Sequence, residues 1–176
     1  MIDWDGLVCR EGAAVWRTAY RLLRNRADSD ECFQETFLAA LEVSSRQPVG
    51  NWPALLQRLA TNRAIDRVRK RLRRRRREEP ADLAMAEGTE DDPSQHAEAA
   101  ELAGALRWAL AQLPVRQAEV FCLHEFGEWS YQQIAEQLGV TVNAVGVMLH
   151  RTRQKLQELL KMQNRLSATL KQQRPN

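Results

Sequence analysis

Apolar side chains recur at spacings of three and four along nearly the whole chain, and no stretch sustains alternation at every second position. Only a helix gathers residues so spaced onto one face, so the rhythm predicts an all-α fold. Eight glycines among 176 residues also leave few tight turns for a hairpin-rich fold. The rhythm lapses between Glu78 and Gln95, a stretch with seven acids and no base. Immediately before it, nine Lys or Arg fall between Arg67 and Arg77. The lapse predicts two small helical domains, 1–77 and 97–165, joined by a flexible acidic linker over 78–96, with a C-terminal tail over 166–176.

In the first unit, Trp16, Ala19, Tyr20 and Leu23 share a face of a helix that Asn25 and Arg26 are expected to close. Asp28 with Glu31 reads as a capping box for a second helix whose Phe33, Phe37 and Leu41 point one way, with a break at Gln47 to Gly50. Asn51 caps a third, with Pro53 in its first turn and an apolar stripe of Trp52, Leu55, Leu56, Leu59, Ile65, Val68 and Leu72. The second unit opens with a helix carrying Leu102, Leu106, Ala109 and Leu113, stopped by Pro114, followed by a helix from Val115 to Phe126. A last helix begins near Thr141, and Met162, Leu166 and Leu170 share a face beyond Leu160.

Residues 130–156, SYQQIAEQLGVTVNAVGVMLHRTRQKL, have the internal logic of a helix-turn-helix. Ser130 and Gln133 form a capping box, Ala135 is small where the helices cross, and Gly139 suits a left-handed turn. Ile134, Leu138, Val140, Val145 and Leu149 supply the shared core. Thr141 caps the second helix, whose N-terminal half would lie in a major groove. Arg151, Arg153 and Lys155 follow, either on DNA phosphates or as a solvated face.

Enzymatic chemistry has no visible seat. Cys9, Cys32 and Cys122 are far apart and read as core packing, His96, His124 and His150 are scattered, and no Gly-rich phosphate loop appears. No cofactor or metal is expected. A composition 44% hydrophobic and 28% charged argues for a globular chain. No apolar run approaches the roughly 20 residues of a membrane span, and the opening MIDWDGLVCREG lacks a secretion-signal pattern, so a cytoplasmic location is expected.

Several blocks together resemble the extracytoplasmic-function group of the sigma-70 family, which directs bacterial RNA polymerase to promoters. DSDECFQETFLAAL (28–41) resembles the family's acidic-Gln-Glu-Thr-Phe helix, WPALLQRLATNRAIDRVRKR (52–71) its Trp, Ala-x-Asn, Asp, Arg helix, and Leu113-Pro114 with SYQQIAEQLGV its C-terminal reader. The resemblance implies a core polymerase surface of Asp30, Glu31, Gln34, Glu35 and Phe37, facing the β′ clamp helices, with the second unit reaching the β flap. It implies a minus-ten surface of Asn62, Asp66, Arg67, Arg69, Lys70 and Arg73 with the loop from Ser44 to Asn51. Ser130, Tyr131, Thr141, Asn143, Ala144, His150, Arg151 and Arg153 are left for the minus-thirty-five element. Promoter DNA, core RNA polymerase and an anti-sigma factor are the implied partners, and the linker acids the implied mimic of an RNA backbone.

Asp66, between Arg63 and Arg69 or Lys70, reads first as a helix-face ion pair, and Trp52 as core. The chain departs from the family where Gly146, Val147 and Met148 replace a common Lys-Ser-Arg, and at Ala118, often Arg. Two readings of the first departure stand. Either Gly146 admits the DNA backbone and reading shifts to shape and methyl contacts, or Val147 and Met148 pack the domain, the preferred reading. A stand-alone helix-turn-helix regulator and an RNA-binding adaptor are the rivals to the sigma-factor reading.

Overall fold

The computed structural model describes residues 2–78 and 97–172, and side chains within 75–78, 97–99 and 166–172 are not among those described. The acidic linker, His96 and the side chains of Arg75 to Arg77, Leu166 and Leu170 therefore lie outside the described residues. Every regular element among the described residues is an α-helix: α1 (Trp4–Leu23), α2 (Arg26–Arg46), α3 (Trp52–Glu78), α4 (Ala97–Gln112), α5 (Val115–Glu125), α6 (Tyr131–Leu138) and α7 (Val142–Gln172). No helix among the described residues is long and apolar enough to cross a membrane.

Short polar side chains set the helix starts. Asp3 caps α1 by accepting from the Gly6 amide at 2.9 Å, and Asn51 caps α3 by accepting from Ala54 at 3.0 Å. At the junction of α1 and α2 the expectation needs correction. Arg24 closes α1 in the left-handed region (φ 49°), and Asn25 opens α2 by accepting from the Asp28 amide at 2.9 Å. Asp28 thus lies in the first turn of α2, where its carboxylate pairs with Arg71 instead of capping.

Helices α1, α2 and α3 pack mutually, with Leu7, Val15, Ala40, Leu56 and Ala60 buried at one end beneath Trp4, Phe33, Phe37, Trp52 and Leu59. Trp52 meets Trp4 edge-on at 5.3 Å, as a core residue. The buried stripe of α2 is Ser29, Cys32, Thr36, Ala39 and Ala40, and Leu41 is exposed, contrary to expectation. Steps of four advance about 400°, so a 33–37–41 series drifts roughly 80° away from its starting face.

In the second unit α7 is the hub, packed by α4, α5 and α6. Ala105, Ala109, Leu110 and Leu113 bury α4, whereas Leu102 is 63% exposed, because the buried stripe begins only at Ala105. The larger apolar cluster does not stop at the unit boundary: Leu22, Ile65 and Val68 join Leu110, Leu113 and Phe121 in it, and α3 packs against α4 and α5.

Candidate nucleic-acid interface

The helix-turn-helix takes the form its sequence specifies. Ser130 accepts from the Gln133 amide at 3.2 Å while the Gln133 side chain accepts from Ser130 N–H at 2.9 Å, completing the capping box. Gly139 follows α6 at φ 63°, a left-handed turn that costs glycine least. Thr141 then accepts from the Ala144 amide at 3.1 Å and starts α7. Ser130→Ala should therefore lower stability by about 1 kcal/mol, read as a shift in the urea midpoint.

Ile134, Ala135, Leu138, Val145 and Leu149 are buried between the two helices. Thr141, Val142, Asn143, Val147, His150, Arg151 and Arg153 face solvent, and Ala144 is half-buried. This overturns half of the preferred packing reading. Met148 does pack against the core, but Val147 is exposed. A Cβ at Gly146 would lie 3.6 Å from the Tyr131 ring, an ordinary van der Waals contact, so packing within the domain does not itself demand glycine there. Tyr131 also meets His124 edge-on at 5.1 Å, while Arg153 donates to Glu125 at 2.7 Å. Glu125, first, and the Tyr131 hydroxyl push the Arg153 pKa up. Ser130 and Tyr131, expected as DNA contacts, thus already serve a cap and a packed ring.

On α3 the expected DNA residues are differently engaged. Arg67 donates to Glu31 at 2.8 Å and Glu35 at 2.7 Å, so two residues assigned to polymerase and one assigned to DNA form a single ion-pair cluster. Burial works against that guanidinium's charge, but its hydrogen bonds to the two carboxylates prevail and raise its pKa. Arg69 donates to the carbonyls of Ala111 at 3.1 Å and Leu113 at 2.7 Å, and Asn62 to Glu119 at 3.0 Å. In this arrangement Asn62 and Arg69 face the second unit, so their expected role on open DNA requires those contacts to part. Lys70 and Arg73 are exposed, and Arg73 with Arg69, Leu72, Ala111 and Gln112 lines a cavity of about 240 Å³. Asp66 pairs with Arg69 at 3.4 Å as expected of a helix-face pair, but Arg63 turns to the Glu35 carbonyl.

On α2, Asp30 accepts from the Trp16 indole at 2.7 Å, Gln34 is exposed, and Phe37 lies 4.9 Å from Phe33, partly in the core. Ser44 and Ser45 bond back to Leu41 and Glu42 carbonyls, finishing α2 ahead of the loop to Asn51.

One residue was invisible to motif reading. Glu119 of α5 is 2% exposed and accepts from Arg58 at 2.8 Å and Asn62, with Arg116 at 3.6 Å. Its signal was a charge inside the apolar run AEVFCL, a position that burial makes costly unless partners converge on it. Arg21 of α1 also reaches across, donating to the Phe126 carbonyl.

The cysteines divide. Cys32 and Cys122 are buried, but Cys9 is exposed, correcting the core assignment. Burial pushes the Cys32 thiol up to about 11 and the Cys122 thiol further in the same direction. A thiol-specific reagent should therefore modify one cysteine rapidly in the native state and all three after unfolding. Both buried thiols stay protonated when folded while unfolded thiols ionise near pH 9. The Cys32 contribution is thus present below pH 9 and lost as pH rises from 9 through about 11, with that of Cys122 falling over the same range and beyond it, so the urea midpoint should fall as pH rises above 9.

Comparison with known proteins supplies the context for this geometry. Residues 7–76 match the family model described as Sigma-70 region 2, and residues 103–156 match Sigma-70, region 4. The chain is 34% identical over 162 residues to the ECF RNA polymerase sigma factor SigE of Mycolicibacterium smegmatis, covering 91% of this chain and 62% of that protein. It thus spans less than two thirds of that relative. It is 29% identical over 161 residues to the RNA polymerase sigma factor CarQ of Myxococcus xanthus, covering 89% and 88% of the two chains. Among solved structures it is similar to CnrH in complex with the cytosolic domain of CnrY, with a TM-score of 0.54 and 25% identity over 90% of this chain and 88% of that one. The sigma factor RpoE of Bartonella quintana, in complex with the anti-sigma factor NepR, shares the fold at a TM-score of 0.53 and 24% identity, covering 90% and 97%.

Proposed function

The chain belongs to the extracytoplasmic-function group of the sigma-70 family, and from that premise we propose that it binds core RNA polymerase, directs it to specific promoters and promotes strand separation there. Sigma factors are initiation factors and not enzymes. The observation that carries the reading is the presence, in one chain and in order, of a region 2 match over α1 to α3 and a region 4 match ending in the helix-turn-helix.

The exposed carboxylates and amide of α2, Asp30, Glu31, Gln34 and Glu35, with Phe37 beneath them, form the polymerase surface, directed to the β′ clamp helices. The second unit takes the β flap. Lys70 and Arg73, joined by Asn62, Arg67 and Arg69 once these leave their protein partners, take the minus-ten element, and binding energy directed at unstacked bases favours the melted state without nucleotide hydrolysis. Thr141, Asn143, His150, Arg151 and Arg153 take the minus-thirty-five element, with Ser130, Tyr131 and Ala144 shaping its edge. An anti-sigma protein is a further partner, a reading supported by the complex with the anti-sigma factor NepR in which one structural relative was solved.

Run-off transcription with purified core polymerase, on a promoter located by mapping start sites after overproduction, is the test. Transcription that depends on the added chain is expected. Failure of the chain to associate with core polymerase in a pull-down, with duplex binding intact, overturns the reading in favour of a stand-alone regulator.

A further inference from the structure

The solvent face of α7 contains an apolar side chain where a groove-reading helix ordinarily has polar ones. Val145 and Leu149 are fully buried, and Val147 lies two residues from each, about 160° around the helix. That puts Val147, 40% exposed, on the side of α7 opposite the core. Asn143 and His150, four residues before and three after it, share its face and are also exposed. Between them the outward or half-outward positions are Ala144, Gly146, Val147 and Met148; Gly146 offers no side chain, and Met148 packs back against the core. Val147 is therefore the exposed apolar group at the centre of this surface. Arg151, Arg153 and Lys155, one to two turns on, give the same helix cations for phosphates.

In the major groove an apolar side chain reads one feature, the C5 methyl of thymine. Building on the promoter-binding reading above, we propose that Val147 is a specificity-determining residue that recognises a thymine methyl in the upstream promoter element. The stretch from Ala144 to Val147 supplies no polar group to hydrogen-bond a base edge there, so the methyl carries the discrimination at that position. Val142 is also exposed, at 49%, but at the first turn and about 140° around the helix from Val147, and serves as the internal control.

The test uses the full chain with core RNA polymerase. An upstream element is selected from a randomised duplex library, then resynthesised with each thymine in turn replaced by deoxyuridine, which removes the methyl and keeps every hydrogen-bonding edge. The expected result is about fourfold weaker binding at one thymine, the factor for a single buried methyl group. Val147→Ile keeps that penalty, Val147→Ser abolishes it, and Val142→Ser leaves it in place. Unchanged circular dichroism and unchanged affinity of the Val147→Ser chain for core polymerase tie the loss to base reading. No penalty at any thymine, an equal penalty in the Val147→Ser chain, or a penalty that disappears with Val142→Ser overturns the assignment while the promoter-binding reading stands. Recovery of no preferred duplex, with no association to polymerase, overturns both.

Discussion

Leu149→Ala is expected to destabilise the chain by about 3 kcal/mol, because a fully buried leucine loses its transfer energy and leaves a cavity that its neighbours fill only in part. Leu149 belongs to the cluster that joins α6 and α7 with α4, α5 and part of the first unit, so relaxation around the gap would disturb several helices at once. Val147→Ala, two residues away, is expected to change stability by no more than about 0.5 kcal/mol, since that side chain stands in water on the opposite face. Urea denaturation of both variants checks the phase of α7 directly. A loss below about 1 kcal/mol at Leu149, or equal losses at the two sites, would contradict the helix orientation on which the reading face depends. Heparin or duplex binding of refolded Leu149→Ala should weaken in step with its folded fraction and no further.

Glu119→Ala is expected to cost about 2 kcal/mol and to loosen the contact between the two units. The carboxylate accepts from Arg58 and Asn62 of α3 in a nearly dry position, and its removal leaves those donors without their acceptor. The figure lies below that for a fully buried pair because the Arg58 side chain is 36% exposed and water can reach it. Glu119→Gln keeps one carbonyl acceptor and should lose less. A double-mutant cycle between Arg58 and Glu119 should give a coupling of about 1 kcal/mol. Cys9 is the exposed cysteine, and a second label at Glu158→Cys would report the separation of the units by energy transfer. The distance distribution should broaden in Glu119→Ala. An unchanged distribution and an unchanged urea midpoint would show that Glu119 does not hold the units together.

What the sequence made legible was local. The Ser130 and Gln133 box, the Gly139 turn and the Thr141 cap each depend on residues within about four positions, and all three stand as expected. The roles of Arg67, Arg69 and Asn62 were opaque for the opposite reason. Apart from the Arg69 pair with Asp66, their partners lie 32 to 57 positions away, and no spacing rule links a guanidinium on α3 to carbonyls at and just beyond the end of α4. Basic composition identified a charged helix but could not distribute its side chains between solvent and protein. Leu41 and Leu102 failed differently. One series drifted around α2 because every step was four, and the other began ahead of the packed part of α4, although Leu102 lies on the same face as Ala109. For Val147 the preference for packing rested on residue type alone, which in a mid-helix valine says little about which way the helix turns.

The Arg67 clamp on Glu31 and Glu35 has a consequence for how two ligands would sense each other. Any partner that competes for those carboxylates leaves the guanidinium short of counter-charge and so more receptive to a phosphate. Any phosphate that captures the guanidinium leaves two bare carboxylates for the partner. Linkage makes such an exchange reciprocal, so the two occupancies would reinforce each other by equal factors.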